Sequence, residues 1–413
     1  MRRWWVGVDW SESLQDCAIV DDHGAVVTHL RIEETADGVA QLLTAIRNLN
    51  PRSHRFSRRQ VPVVIEDGAR LLVAELRRVR QPVIVIPPAV MARYRGRLAT
   101  AVSKADRTDA ALLANIVRMN PGRHRALAET SDEAAAVAVL ARAQQDSVAR
   151  ATEAMLRMRS HLRMYYPAAI DAWAGMDRGL RRREARALLA VAPTPRAAAG
   201  LSKYRIAETL AAAGRTRMLD DQAAGLRELF AAPRLRQRPA TEDAMGQRML
   251  VHLAELDAAC LQAERLRETI TETFARHPHA PIYRSFPACG PIVAARLFAE
   301  IGDDPGRFTA RGLRAYAGTA PLTWASGGSH KVTHRRICNR QLKTAVHQWA
   351  FGTLTRSPGC RARYDARRDG GDGYAAALRH VGNRLLNGLH YCLQSGDLYH
   401  EERMFPPSSS TVS

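Results

Sequence analysis

From Ser131 onward the strand signal disappears and a seven-residue repeat takes over. Val137, Gln144, Ala151 and Met158 recur at that interval, with Ala141, Val148, Met155 and Leu162 four residues on. A second stretch repeats the pattern with Met249, Leu256, Ala263 and Ile270 beside Leu253, Cys260 and Phe274, and Arg267 breaks its column. Mostly apolar positions at this spacing line one stripe of a helix and make a coiled-coil seam. Two such helices around an insert form an antiparallel hairpin or a dimerisation arm. Amphipathic helices of an ordinary bundle would leave the same trace. The insert, residues 167–239, reads as helical and Arg-rich, with no functional signal of its own. Any sheet is therefore expected before Ser131.

That first part does alternate strand and helix. Trp4 to Asp9, Cys17 to Val20 and Ala25 to Ile32 read as three strands, the last two joined by the turn Asp21-Asp22-His23-Gly24. Short polar turns of this kind favour hairpins. A helix follows over Val39 to Leu49, then a basic loop and a strand over Val61 to Ile65. Leu71 to Val79 reads as helix, Val83 to Ile86 as strand and Ala105 to Val117 as helix. This predicts an α/β domain over residues 1–125, a helical coiled-coil region over 126–280 and a mainly helical domain over 281–405. The Pro- and Ser-rich end, 406–413, has the composition of a disordered tail.

Composition narrows the function. Lys and Arg total 61 against 41 acids, a net charge of +20 over 413 residues, which suits a polyanionic partner such as nucleic acid. The six cysteines contain no CxxC pair, so neither a zinc knuckle nor a disulfide framework is expected, and a reducing compartment is the default. Asp9 and Glu12 interrupt the start before a signal-peptide core can form, and no run approaches the ~20 apolar residues of a membrane span. A bacterial cytosolic protein without a membrane partner is the expectation.

Four acids stand out. Asp9 and Glu66 each close an apolar strand, and Asp106 and Asp109 share one face at the start of a helix. Singly, each reads as a strand-end turn residue or as a carboxylate favoured by a helix N-terminus. Gathered together they would raise one another's pKa, a penalty that a divalent cation removes. Mg²⁺ takes hard carboxylate oxygens, and two such ions ~4 Å apart assist phosphoryl transfer. Lys104 and Arg107 flank the helix pair and read as phosphate contacts or as a solvated face.

The segments Val6-Gly-Val-Asp9, Val64-Ile-Glu66 and Ser103-Lys-Ala-Asp106-Arg-Thr-Asp109-Ala resemble the acidic tetrad of a RuvC-like, RNase H-type domain. Their order resembles the DEDD insertion-sequence transposases related to the Piv DNA invertases, the bridge-RNA-guided recombinases. The resemblance implies that Asp9, Glu66, Asp106 and Asp109 hold two Mg²⁺ ions. Trp10 departs from the small or polar residue usual after the first Asp, and could pack beneath the site.

The resemblance continues to the other end of the chain. Pro287-Ala-Cys-Gly290-Pro-Ile-Val-Ala-Ala is similar to a helix-hairpin-helix, whose Gly290 turn would meet backbone phosphate. Leu313-Arg-Ala-Tyr316-Ala-Gly-Thr-Ala-Pro321 and Trp324-Ala-Ser326-Gly-Gly-Ser329 are similar to the family's transposase domain, whose nucleophile is a serine directly before glycine. That maps to Ser326, with Ser329 the other candidate. From the residues alone, Ser-Gly-Gly-Ser is simply a flexible loop. Lys331, Arg335 and Arg336 supply charge for phosphate. The resemblance thus implies a transposase that cuts and rejoins DNA through a covalent phosphoserine, guided by a structured non-coding RNA, as a homodimer or tetramer. Two other functions suit the same residues: a hydrolytic RuvC-like nuclease that leaves no covalent adduct, and a non-catalytic nucleic-acid-binding protein.

Overall fold

In the computed structural model, which describes residues 3–50, 56–98, 106–326 and 329–406, the first 129 residues form one unit around a mixed five-stranded sheet. Its strands are β1 (Trp5–Asp9), β2 (Leu14–Val20), β3 (Val26–Glu33), β4 (Val63–Ile65) and β5 (Val83–Val85), in the order β3-β2-β1-β4-β5. The first three form an antiparallel meander, while β4 pairs parallel to β1 and β5 parallel to β4. Parallel neighbours need crossovers. Here α1 (Ala36–Arg47) precedes β4 and α2 (Leu71–Arg78) precedes β5, followed by α3 (Pro88–Leu98) and α4 (Asp106–Met119).

Strand alternation divides the side chains between two cores. Val6 and Val8 pack with Leu42 and Ile46 of α1 and with Leu72 and Leu76 of α2. Trp5 and Val64 pack on the opposite face, with Leu113, Ile116 and Val117 of α4. Gly7 shares that second face. A Cβ built on it would lie 1.8 Å from the Ala110 carbonyl oxygen, so α4 crosses β1 at a distance only glycine permits.

Residues 130–413 form the second unit. It is built on α5 (Asp132–Arg163), an insert of short helices α6 (Pro167–Asp171), α7 (Arg183–Val191), α8 (Pro195–Ala199), α9 (Lys203–Ala212) and α10 (Leu219–Ala231), and α11 (Pro239–Ala275). Ser131 caps α5 by accepting from the Ala134 amide. Helices α5 and α11 lie antiparallel, because the start of α5 and the end of α11 share one core while their other ends share a second. Val137, Ala141, Gln144, Ala151, Met158 and Leu162 are buried along α5, as are Met249, Leu253, Leu256, Ala263, Ile270 and Phe274 along α11. The heptads therefore make an intramolecular seam, the hairpin alternative. The insert packs against its far end through Trp173, Leu188, Ile206 and Leu226.

The near end carries the remaining elements. These are α12 (Ala280–Ser285), α13 (Pro291–Ile301), α14 (Ala310–Tyr316), β6 (Pro321–Ser326), β7 (Ser329–His334), α15 (Arg340–Thr353), α16 (Pro358–Asp369), α17 (Tyr374–Ser395) and α18 (Glu401–Met404). Here the expectation of strands only before Ser131 fails. Residues 321–326 and 329–334, around the Ser-Gly-Gly-Ser segment read above as a flexible loop, form the antiparallel ribbon β6-β7. Thr323, Trp324, Val332 and Thr333 have the β-branched and aromatic character of strands, and a Gly-Gly pair between such runs is a hairpin signal. No helix among the described residues is long and apolar enough to cross a membrane.

Candidate functional site

The sheet topology brings two of the acids together. Parallel pairing of β1 with β4 runs Val6 with Val63, Gly7 with Val64 and Val8 with Ile65. One step further, Asp9 and Glu66 end adjacent strands, and both continue the alternation of the face covered by α4. On α4, Asp109 directly precedes Ala110, the residue seated on Gly7, so the close crossing at Gly7 carries Asp109 to the same end of the sheet. Asp109 is largely buried, at 8 % exposure, and Asp9 and Glu66 are half-buried. Asp106 opens α4, but its side chain and that of Arg107 lie outside the described residues, as does all of Lys104.

Among the acids stands an arginine that the sequence did not single out. Arg95 of α3 donates from Nε to Asp109 Oδ1 at 2.9 Å and from Nη2 to Asp109 Oδ2 at 2.6 Å. The bond to Asp109, opposed by burial and joined by the charges of Glu66 and Asp9, raises the guanidinium above its usual pKa. Its signal in the sequence was weak. Pro88 suits the first turn of a helix, but no strong apolar stripe follows it. Trp10 also has a definite place: the Arg70 guanidinium carbon lies 3.3 Å from its ring centroid, and Arg70 Nε is 3.0 Å from Asp67 Oδ2. The residue after Asp9 thus braces the loop that follows Glu66.

Among the described residues no three His, Cys, Asp or Glu side chains gather at metal-binding spacing. The donor chemistry nevertheless suits a hard divalent cation, since Asp9, Glu66 and Asp109 offer only carboxylate oxygens. Arg95 demonstrates the demand, for it places a positive charge among them.

The other predicted site residues belong to the second unit. Gly290 caps the N-terminus of α13, with Pro291 in the first turn, and the Trp349 indole donates to the Pro287 carbonyl at 3.0 Å. The segment expected to form a helix-hairpin-helix consists of α12, a braced turn and α13. A Cβ on Gly290 would meet nothing within 4 Å, so the turn is open to an approaching group. Ser326 ends β6 and pairs in register with Ser329, which begins β7. Gly327 and Gly328, and the side chains of Ser326, Ser329 and Lys331, lie outside the described residues. Arg335 and Arg336 follow directly after β7, and the Arg335 Nε is buried without a hydrogen-bond partner among the described residues.

A buried polar network holds the base of this ribbon. Arg142 of α5 donates to Glu300 of α13 at 2.7 and 3.0 Å, and Asn339 donates to Glu300 at 2.6 Å while capping α15 through the Leu342 amide. The Asn339 amide also donates to the Tyr316 hydroxyl at 2.7 Å. Glu300 is 1 % exposed, and its carboxylate is matched on both oxygens.

Comparison with known proteins identifies the family. A DEDD family model described as "Transposase" matches residues 6–167, and one described as "Transposase IS116/IS110/IS902 family" matches residues 280–365. The chain is 44 % identical over 402 residues to the "Mini-circle putative transposase for IS117" of Streptomyces coelicolor, covering 97 % of this chain and 96 % of the relative. It is 30 % identical over 321 residues to the IS110 "uncharacterized 43.6 kDa protein" of the same species, covering 73 % of each. With the IS900 "uncharacterized 42 kDa protein" of Mycobacterium paratuberculosis it shares 27 % identity over 96 % of this chain and 97 % of that one. With full-length similarity at that level, and with both family models matched, the chain belongs to the IS110/IS116 family of insertion-sequence transposases.

Proposed function

We propose that this transposase cuts and rejoins DNA through a covalent phosphoserine at Ser326, assisted by Mg²⁺ held by Asp9, Glu66, Asp106 and Asp109. The observation that carries the reading is the convergence of Asp9 and Glu66, on adjacent strand ends, with Asp109 on the helix that crosses Gly7. The β3-β2-β1-β4-β5 order, with a meander followed by two parallel strands, supports a RuvC-like, RNase H-type assignment for this unit.

When bound, Mg²⁺ supplies Lewis-acid stabilisation of charge on the reacting phosphate. The chain's own residues do the rest. Asp9, Glu66 and Asp109 would hold the cation, and Arg95, which now pairs with Asp109, would then be available to a phosphate oxygen. The Ser326 hydroxyl attacks phosphorus, its proton passes to a nearby base, and the displaced sugar oxygen leaves. A sugar hydroxyl of the partner strand later reverses the exchange and frees the serine. Lys331, Arg335 and Arg336, in and after β7, surround the reacting strand with positive charge. The net charge of +20 supports a nucleic-acid partner, and the family resemblance supports a structured guide RNA and a dimer or tetramer.

A suicide DNA substrate that traps covalent intermediates tests the reading. The wild-type chain should form an adduct that maps by peptide mass to Ser326. Ser326→Ala should form none, and Asp9→Asn or Asp109→Asn should lose strand cleavage while keeping nucleic-acid binding. Mg²⁺-dependent cleavage without any adduct would instead make the protein a hydrolytic nuclease.

A further inference from the structure

The second unit contains a cleft that the catalytic reading does not use. It encloses about 280 Å³ and is walled in part by Arg178, Arg181, Arg267 and Arg296. The one carboxylate in its lining, Glu264, already accepts from Arg183 at 2.5 Å. Four guanidiniums therefore face a space whose lining holds one carboxylate, and of the four Arg178 also lies 3.7 Å from Asp177 outside that lining.

Arg296, on α13, is the decisive group. It is 7 % exposed, and it donates to Gln144 Oε1 at 3.1 Å and to Gln348 Oε1 at 2.7 Å. Both acceptors are neutral amides, and no ion pair among the described residues involves Arg296. Burial lowers its pKa with nothing offsetting the loss. On the same α5–α13 contact, Arg142 has Glu300 as a two-pronged partner. A buried cation without a counter-ion is costly, and a cation at the wall of an open cleft has room to receive one.

The other walls agree. Arg267 is the residue that interrupts the apolar column of α11, and it is exposed in the cleft instead of seated in the seam. Arg181 donates from Nη1 to Thr152 at 3.2 Å, while its Nε is buried with no hydrogen-bond partner among the described residues. Arg178, Arg181, Glu264 and Arg267 also line a wider recess of about 640 Å³, where Arg182 and Arg183 stand beside the acids Asp177, Glu184 and Glu268, so the mainly cationic wall is confined to the first cleft.

We infer that this cleft is a phosphate-binding channel for one nucleic-acid strand. Arg296 receives a phosphate at the floor, and Arg178, Arg181 and Arg267 receive its neighbours along the walls. A volume of about 280 Å³ is on the scale of one nucleotide and not of a duplex, and a single strand presents its phosphodiesters one at a time. The inference rests on the nucleic-acid reading above, and it assigns a task to the junction between the helix pair and its insert.

The test uses the full chain and three fluorescein-labelled probes: a 30-nucleotide single-stranded RNA, single-stranded DNA of the same sequence, and the corresponding duplex DNA. The double variant Arg178→Ala/Arg267→Ala alters two exposed side chains, so its unfolding midpoint should stay at the wild-type value. Its affinity for both single strands should fall about tenfold, with the salt slope reduced by about one per arginine removed. Duplex affinity should change far less. A loss confined to RNA assigns the channel to a guide strand, and an equal loss assigns it to the shared backbone. Arg296→Gln should lower single-strand affinity at least as much, and the surface pair keeps the test valid if that variant folds poorly. Unchanged single-strand affinity and slope in the double variant would overturn the channel while leaving the transposase reading intact. Failure of the wild-type chain to bind any of the probes would remove both.

Discussion

At Gly7 a single hydrogen atom sets the spacing between β1 and α4. Gly7→Ala would drive a methyl carbon into the Ala110 carbonyl, and the only relief is to push α4 outward. Overpacking of this kind costs about 1–3 kcal/mol, so the variant should show a lower unfolding midpoint in denaturant. Because Asp109 travels with α4, it should also lose more strand cleavage than its stability explains. Full activity in Gly7→Ala would show that the acids do not depend on that crossing. Arg95 gives the second prediction at this scale. Its pair with Asp109 contributes about 1 kcal/mol after solvent screening, since the arginine is 43 % exposed and the aspartate 12 %. Arg95→Ala should therefore melt lower than wild type in chelator and gain more from excess Mg²⁺, because the vacated carboxylates bind the ion without competition. Thermal scans with and without Mg²⁺ decide it, and equal Mg²⁺ responses would separate Arg95 from any cation site. The strand-end positions of Asp9 and Glu66 were legible in the sequence, because a residue closing an apolar strand has few places to go. Arg95 was not, since nothing in residues 88–98 announces which side chain meets Asp109 across the fold.

Among the elements, legibility followed length. The stripes of α5 and α11 run for 32 and 37 residues, enough for repeated positions to outweigh local exceptions such as Arg267. The insert helices, from 5 to 13 residues, offer too few turns for a pattern to say what they pack against. The β6-β7 ribbon is hidden for another reason: in a sequence, a Gly-Gly pair signals loop freedom as readily as a hairpin. The joint between insert and α11 carries a pH prediction. Glu242, in the first turn of α11, is 2 % exposed on its side chain and accepts from Arg236 Nε and Nη2 at 2.6 Å each. That bond holds its pKa below the usual 4.5. A depressed folded value means the contribution is complete above pH 4.5 and is lost as pH falls through the lowered value. Glu242→Gln should cost about 1–2 kcal/mol at neutral pH and flatten the stability profile below that point, read from denaturant midpoints across pH. An unchanged acid slope would show that Glu242 titrates alike in both states.

For the whole molecule, two units with separate cores make a division of labour testable. Expressed alone, residues 1–129 should fold with the strand content of the mixed sheet, yet bind single strands far more weakly than the full chain. The arginines of the cleft and of the β7 end lie beyond the cut. Circular dichroism and a salt titration check both halves of that statement, and wild-type affinity in the fragment would refute it. Within residues 130–413 the two cores are joined by α5 and α11, about 48 and 56 Å long at 1.5 Å per residue. Such a pair is a graduated ruler. Removing seven residues from both helices would bring the insert about 10 Å nearer the base and keep every knob in its hole. Removing four would swing the insert by about 40° and turn the apolar stripe out of register. The distance between the insert and the end of the chain that carries Ser326 can therefore change in evolution only by whole marks. An altered span for nucleic acid would have to come in heptads.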